Sequence, residues 1–350
     1  MNAKALNVIL TLCAFLLMLA ASANAQGFAG LGQTTDDFEL PDPEARFTFP
    51  EDHGAHPTFR IEWWYITANL TGPDGASYGI QWTLFRNALA PTGADEDQAW
   101  MAHAAVSTPD SHHYGERFAR GGIGQAGVTA QPFEAFIDEW QMVGPDLNTI
   151  QLTAQTETFR YDLSLNAADA PFVLQGDDGF SIKSEAGQAS HYYSQPFYTV
   201  EGTLTLPSGE VPVTGQGWLD REWSSQPLTE TQTGWDWVSL HFETGEKLMG
   251  YRMRDSAGPA YTVGNWIAPD GTGQPLPNGA LTMTATATSR VEDRDVPTGW
   301  RITLPDRDLD ITVDALYPDS WMGTLVPYWE GPVAVQGSHP GMGYLEMSGY

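Results

Sequence analysis

Short runs of β-branched and aromatic residues, each ended by a glycine-containing turn, recur from Phe47 onward. Antiparallel sandwiches and barrels carry this pattern, whereas the i, i+3, i+4 spacing of an amphipathic helix is almost absent. Strands are predicted over 61–69, 77–86, 100–107, 150–156, 159–165, 199–206 and 211–218. A second series follows over 235–242, 247–254, 261–267, 281–288, 301–304 and 309–315. Pro73-Asp74-Gly75, Pro207-Ser208-Gly209, Thr244-Gly245 and Asp270-Gly271 supply tight-turn chemistry, glycine providing the positive φ that such turns need. One stretch departs from the rule. Phe133, Phe136, Ile137 and Trp140 are spaced for a single helical face, so a helix is predicted over 133–142.

Trp63-Trp64 opens one strand, Gly75 turns it and Arg86 ends its partner; Trp235-Asp236-Trp237, Gly245 and Arg254 repeat that order. The echo predicts two consecutive β-domains, 47–226 and 227–350, divided within the polar stretch 224–233. Residues 1–25 have the form of a signal peptide: Lys4, an apolar run over 6–20 and the small-residue site Ala23-Asn24-Ala25, with cleavage expected after Ala25. Residues 26–46, rich in Gly, Thr and Asp with Pro41 and Pro43, are expected to form a flexible tail. The single cysteine, Cys13, lies inside the signal and follows Leu12, which argues against lipid anchoring. Disulfides, a thiol nucleophile and a cysteine zinc site are thereby set aside for the mature chain. No second apolar run reaches the roughly 20 residues of a membrane-spanning helix, so a soluble periplasmic or secreted protein is expected.

With 44 Asp plus Glu against 16 Lys plus Arg, the net charge of −28 disfavours nucleic acid and anionic membrane surfaces as partners. Gly75-Ala76-Ser77-Tyr78-Gly79 has the spelling of a nucleophile elbow, but it leaves a turn into a strand instead of entering a helix. The histidines show no fixed metal-ligand spacing, and Asp306, Asp308 and Asp310 lack the glycine and distal glutamate of a calcium loop; no metal and no cofactor are expected. Cofactor-free acid–base chemistry needs a carboxyl group in an apolar setting. Acids and indoles interleave most densely at Gly217-Trp218-Leu219-Asp220-Arg221-Glu222-Trp223 and Trp235-Asp236-Trp237, with Glu62 beside Trp63-Trp64 in the first unit. The structural alternative has Arg60, Arg86, Arg221 and Arg254 neutralising these acids at barrel ends and stacking on Trp faces.

Phe49-Pro50-Glu51-Asp52-His53-Gly54-Ala55-His56-Pro57, Arg60-Ile61-Glu62-Trp63-Trp64-Tyr65, the Gly217–Ser224 block and Gly234-Trp235-Asp236-Trp237 together resemble the AttH family, which is related to carotenoid 1,2-hydratases. The resemblance runs from about Phe47 to Tyr350. It implies an all-β fold of two consecutive lipocalin-like (calycin) antiparallel barrels and an elongated apolar ligand of lipid or isoprenoid type. It also implies association with an ABC transporter. The hydratase motif Asp-His-Asn-Trp is matched at Asp220 and Trp223, with Arg221 and Glu222 between them; Tyr251 and Asp255 do not reproduce its following Tyr-x-Asp. The expected site comprises Asp220 and Glu222 as acids, with Glu62, Trp64, Trp223, Trp235, Trp237 and Tyr251 around the ligand. Three classes stay open: a hydratase-like lyase, a non-catalytic carrier, and an interaction module for a transporter. A secreted hydrolase, acting on an ester or a glycan, is a fourth.

Overall fold

In the computed structural model, which describes residues 37–226 and 228–350, the aromatic and β-branched runs pair into two antiparallel sheets. The expected signal peptide lies outside the described residues. The first sheet holds β1 (Ile61–Thr71), β2 (Ser77–Ala88), β3 (Gln98–Ser107), β4 (His112–Arg120), β5 (Ala126–Thr129), β6 (Phe133–Ile137), β7 (Trp140–Asp146), β8 (Thr149–Gln155), β9 (Arg160–Asn166), β10 (Val173–Leu174), β11 (Phe180–Ile182), β12 (Ala189–Leu206) and β13 (Gly209–Ser224). Its order is β4-β3-β2-β1-β13-β12-β9-β8-β7-β6-β5, with β10 and β11 also on β12, and it curls into a nearly closed barrel. Side chains close the seam: Arg117 of β4 lies 4.7 Å over the ring of Trp140.

The second sheet, a half-barrel, holds β14 (Gln232–Phe242), β15 (Lys247–Asp255), β16 (Tyr261–Ile267), β17 (Gly273–Leu276), β18 (Thr282–Val291), β19 (Arg294–Leu304), β20 (Leu309–Ala315), β21 (Trp321–Met322), β22 (Tyr328–Gly337) and β23 (Gly341–Ser348). In both sheets the first long strand pairs with the second and with the last, β1 with β2 and β13, β14 with β15 and β23. The sequence echo is therefore a repeat of topology.

The helix expected over 133–142 is instead the hairpin of β6 and β7, with Ile137 opposite Trp140. Phe133, Ala135 and Ile137 are buried and alternate with half-exposed residues, a two-residue period. Asp138 takes φ 51° in the turn, which a short polar side chain tolerates. Phe136 lies in the half-exposed phase of the strand, and its chance spacing from Phe133 and Trp140 gives the sequence its helical look. In the stretch expected to be a tail, Glu39 N–H donates to Thr58 O at 3.2 Å and Asp42 N–H to His191 Nε2 at 3.3 Å, holding it against the first barrel.

Both barrel interiors are packed. Trp64, Trp82, Trp140, Tyr161, Tyr193 and Tyr198 fill the first; Trp300, Trp329, Val313 and Leu345 fill the second. A third apolar cluster, including Tyr65, Tyr192, Trp218, Trp237, Met249 and Tyr344, lies between the two sheets. Here the barrels press together closely enough that a Cβ on Gly79 of β2 would lie 2.7 Å from Tyr344 Oη and 2.8 Å from the Pro332 ring. Asn69 Nδ2 donates to Gly343 O across the same contact at 2.8 Å.

At one end of the first barrel the acid–arginine–indole arrangement takes the structural form. Glu62 is fully buried and accepts from Arg221 Nη2 at 2.7 Å, Arg86 Nε at 2.9 Å and the His56 N–H at 2.9 Å. Its other ring contact is His56 Nδ1 at 2.6 Å, and Arg221 lies 4.0 Å over the Trp64 ring. Burial alone would raise the Glu62 pKa, but Arg221, His56 and Arg86 hold it well below the usual carboxylate range. This stabilisation is present above the unfolded value of about 4.3 and is lost as pH falls toward the folded value. Glu62→Gln strands two buried guanidinium groups with less compensation, so we expect a loss of about 3–5 kcal/mol. Urea unfolding at pH 7 checks this; a wild-type midpoint contradicts it.

Candidate active site

A β-strand sends successive side chains to opposite faces, and on β1 and the second half of β13 both faces are covered by protein. The inward phase, Glu62, Trp64, Arg221 and Trp223, fills the first barrel. The outward phase, Trp63, Tyr65, Trp218, Asp220 and Glu222, faces the second barrel. Between the two sheets it forms an aromatic-lined cavity, about 130 Å³ of it enclosed, that opens through a mouth to solvent. The lining continues in strict register. Tyr65 stands opposite both Asp220 and Thr83, Trp63 opposite Glu222 and Phe85, and Tyr192 opposite Glu222. From the second sheet, Trp237 stands opposite Tyr251 and Glu346, and Trp235 opposite Met253.

Three carboxyl groups reach this cavity in different settings. Asp220 accepts from Ser194 Oγ at 2.5 Å and Trp218 Nε1 at 2.7 Å on one oxygen, and from Tyr192 Oη at 2.6 Å on the other. Burial outweighs these donors and pushes its pKa up to about 7. Glu346 accepts from Trp235 Nε1 at 2.7 Å; burial, opposed by that bond and assisted by the charges of Asp220 and Glu222, lifts it likewise to about 7. Glu222 is paired with a cation, Lys183 Nζ at 2.7 Å, and accepts from Ser190 Oγ. Lys183 in turn lies 4.7 Å over the ring of Tyr192 and 4.6 Å over that of Tyr251.

Behind Glu346 lies a fourth acid. Glu330 is buried, stands directly opposite Glu346 on β22 and accepts from the Tyr65 hydroxyl. Burial first, and the Glu346 charge second, push its pKa well above the usual range. The two carboxyl groups stand on one face of adjacent strands, so ionising either disfavours ionising the other.

The structure brings together Asp220, Glu222, Trp235, Trp237 and Tyr251 from the expected site, and adds Glu346. It places Glu62, Trp64 and Trp223 on the other side of the β1–β13 ladder, in the barrel interior, where Trp223 stacks on His56 at 3.8 Å. Glu346 and Glu330 escaped the sequence reading because β22 and β23, broken by Gly and Pro and rich in Met and Tyr, lack an alternating polar face. The signal that marks them is a lone acid in phase with Tyr328 and Tyr344, in strands otherwise apolar on both sides.

The AttH-like family model matches residues 40–350. An AttH structure from Nitrosomonas europaea is 30% identical, covers 89% of this chain and 100% of its own, and superposes with a TM-score of 0.80. Kievitone hydratase from Nectria haematococca is 14% identical, with 89% and 98% covered and a TM-score of 0.67. CghA with Sch210972 is 12% identical, with 90% and 97% covered and a TM-score of 0.53. At 14% and 12% identity, the last two show the fold alone. No curated protein sequence matches the chain significantly.

The raised Asp220 pKa has a consequence for stability. Its folded value of about 7 exceeds the unfolded value of about 3.9, so between these values the folded state binds more protons and stability falls as pH rises. Asp220→Asn removes that penalty. We expect the variant to exceed the wild type by about 1.5 kcal/mol at pH 5 and by up to about 4 kcal/mol at pH 9, roughly one and three pKa units. Urea unfolding at both pH values checks this; an equal difference at the two refutes it.

Proposed function

Because the chain belongs to the AttH-like family, we propose that its inter-barrel cavity binds an elongated apolar molecule of lipid or isoprenoid type and acts on it by cofactor-free, hydratase-type acid–base chemistry. We propose further that it does so as an exported protein. The observation that carries this reading is the pair Asp220 and Glu346. Both are lifted to about 7 on the walls of one aromatic cavity, and among the described residues neither has a salt-bridged cation. Acids of that pKa exchange protons with substrate at neutral pH most efficiently. The shared two-barrel architecture of a protein named as a hydratase supports the same direction.

The hydrogen bonds divide the roles. Asp220, held by three donors, is the better carboxylate and serves as the base. Glu346, with the Trp235 donor and acidic neighbours, is the better acid. Glu346 gives its proton to one carbon of a double bond, and positive charge develops on the other carbon against the faces of Trp235, Trp237 and Tyr251. Water bonds to that carbon and its proton passes to Asp220; the reverse sequence is dehydration. Glu222, fixed by Lys183 and Ser190, orients the polar end of the ligand.

Native mass spectrometry of protein purified without detergent identifies the ligand, and its turnover is then compared in wild type, Asp220→Asn and Glu346→Gln. Each variant should retain ligand and lose about 10²–10⁴-fold in rate. Wild-type activity should fall on both sides of about pH 7, as Asp220 is protonated or Glu346 ionised. Undiminished turnover in both variants removes the pair from the mechanism, and a ligand that is bound but never converted makes the protein a carrier.

A further inference from the structure

The two oxygens of Asp220 are held in different ways. Oδ1 accepts from Ser194 Oγ at 2.5 Å and from Trp218 Nε1 at 2.7 Å, while Oδ2 accepts from Tyr192 Oη at 2.6 Å. Asp220 and Tyr192 line the cavity, and Ser194 does not. Behind Ser194 stands Gln175, fully buried just past β10, whose backbone N–H donates to Tyr192 O at 3.0 Å. Its Nε2 donates to Ser194 Oγ at 2.8 Å, and its Oε1 has no hydrogen-bond partner among the described residues.

Proton counting sets the direction of each bond. A serine hydroxyl has one proton and an indole N–H can only donate. With the Ser194 oxygen occupied by the Gln175 amide, the serine proton goes to Oδ1, which therefore meets two hydrogens that cannot turn away. A third hydrogen, placed on Oδ1 itself, would face both. Tyr192 differs, because a phenol hydroxyl rotates: when Oδ2 gains a proton, the phenol oxygen accepts it. Turning the Gln175 amide over would hand the Ser194 proton to Oε1 and take a donor from Asp220. Packing alone would be served by an apolar side chain of the same length, without the cost of a buried carbonyl that lacks a partner. The other titratable groups facing Asp220 are Tyr65, Tyr192, Glu222 and Glu346, all on the cavity wall, whereas Oδ1 is met only by the uncharged Ser194 and Trp218.

We propose that Asp220 exchanges its proton at Oδ2 alone, and that Gln175, outside the cavity, is the positioning residue that imposes this by locking the Ser194 hydroxyl onto Oδ1. For its bearing on turnover the proposal rests on the acid–base reading of the cavity. In the hydration step the water oxygen bonds to carbon, one of its O–H bonds breaks, and that proton bonds to Oδ2 as the Tyr192 hydroxyl turns. The carboxylate becomes a neutral acid whose carbonyl oxygen, Oδ1, keeps both of its donors. In dehydration the proton on Oδ2 returns to the departing hydroxyl oxygen.

The test needs no substrate. In protein isotope-labelled at the aspartate carboxyls, the infrared difference between pH 5 and pH 9 contains the C=O stretch of protonated Asp220, assigned by its loss in Asp220→Asn. With the proton on Oδ2, the C=O oxygen is Oδ1, which accepts two hydrogen bonds and absorbs at low frequency. Ser194→Ala moves the band to higher frequency and raises the proton affinity of Asp220 about tenfold. Gln175→Met, which removes the lock together with the partnerless carbonyl and so has little effect on folding, moves both in the same direction by less. Tyr192→Phe leaves the band near its wild-type position. A band that moves in Tyr192→Phe and stays in place in Ser194→Ala puts the proton on Oδ1 and overturns the proposal. A wild-type band and titration in Gln175→Met overturn the lock, since packing alone would give that result. Undiminished turnover in Asp220→Asn would instead sink the catalytic reading and leave the choice of oxygen standing.

Discussion

The pleat of β13 sends Leu219, Arg221 and Trp223 into the first barrel and Trp218, Asp220 and Glu222 toward the second, and almost everything else in the molecule accommodates that division. A strand in a free-standing barrel can leave its outer face to water. Here the outer faces of β1, β12 and β13 carry Tyr65, Tyr192 and Trp218, which are buried only because β14, β15 and β23 cover them. Each barrel alone would expose a large aromatic surface. The docking of the two sheets is thus a condition of stability for each, and the cavity is the part of that docking left unfilled.

The same ladder separates two electrostatic regimes. On its inner side Glu62 meets two guanidinium groups and an imidazole, which hold it ionised at any ordinary pH. On its outer side Asp220 is offered hydroxyl and indole donors but, among the described residues, no salt-bridged cation, and its carboxyl is driven the other way. Coulombic attraction decides the first case and desolvation the second, although both groups are fully enclosed. Among the described residues the one Lys or Arg lining the cavity, Lys183, is committed to Glu222 and to the rings of Tyr192 and Tyr251, which leaves Asp220 and Glu346 without its charge.

How much of this was legible in the sequence follows from the same geometry. Strands with one wet face, such as β9 and β20, alternate cleanly and lie within a residue of their predicted positions. Where both faces are buried the alternation disappears: the first half of β12 and the last third of β13 were not recognised as strand, and β22 and β23 were missed. The acid- and indole-rich blocks were found, because Trp beside Asp or Glu is rare. Adjacent residues in one block nonetheless point to opposite faces, so a list compiled by proximity in sequence mixed the cavity residues Asp220 and Glu222 with Trp223 of the interior. Knowing which members of Trp218–Trp223 share a phase with Tyr65 required the register, and register is a property of two strands.

Glu346 shows what a repeat of topology contributes. β14 and β23 stand to the second sheet as β1 and β13 stand to the first, and both pairs turn their aromatic phase to the common cavity. Asp220 on the last strand of one sheet and Glu346 on the last strand of the other are therefore related positions, brought to one space by the approximate repeat. The repeat is broken in the surroundings of the two carboxyls. Asp220 accepts from three side-chain donors and Glu346 from the Trp235 indole, so two related carboxyls, both lifted to about 7, sit in different hydrogen-bond settings. A single closed barrel, with its interior given over to packing, offers no such pair. Two barrels sharing one cavity place two carboxyl groups on opposite walls without any residue leaving its strand.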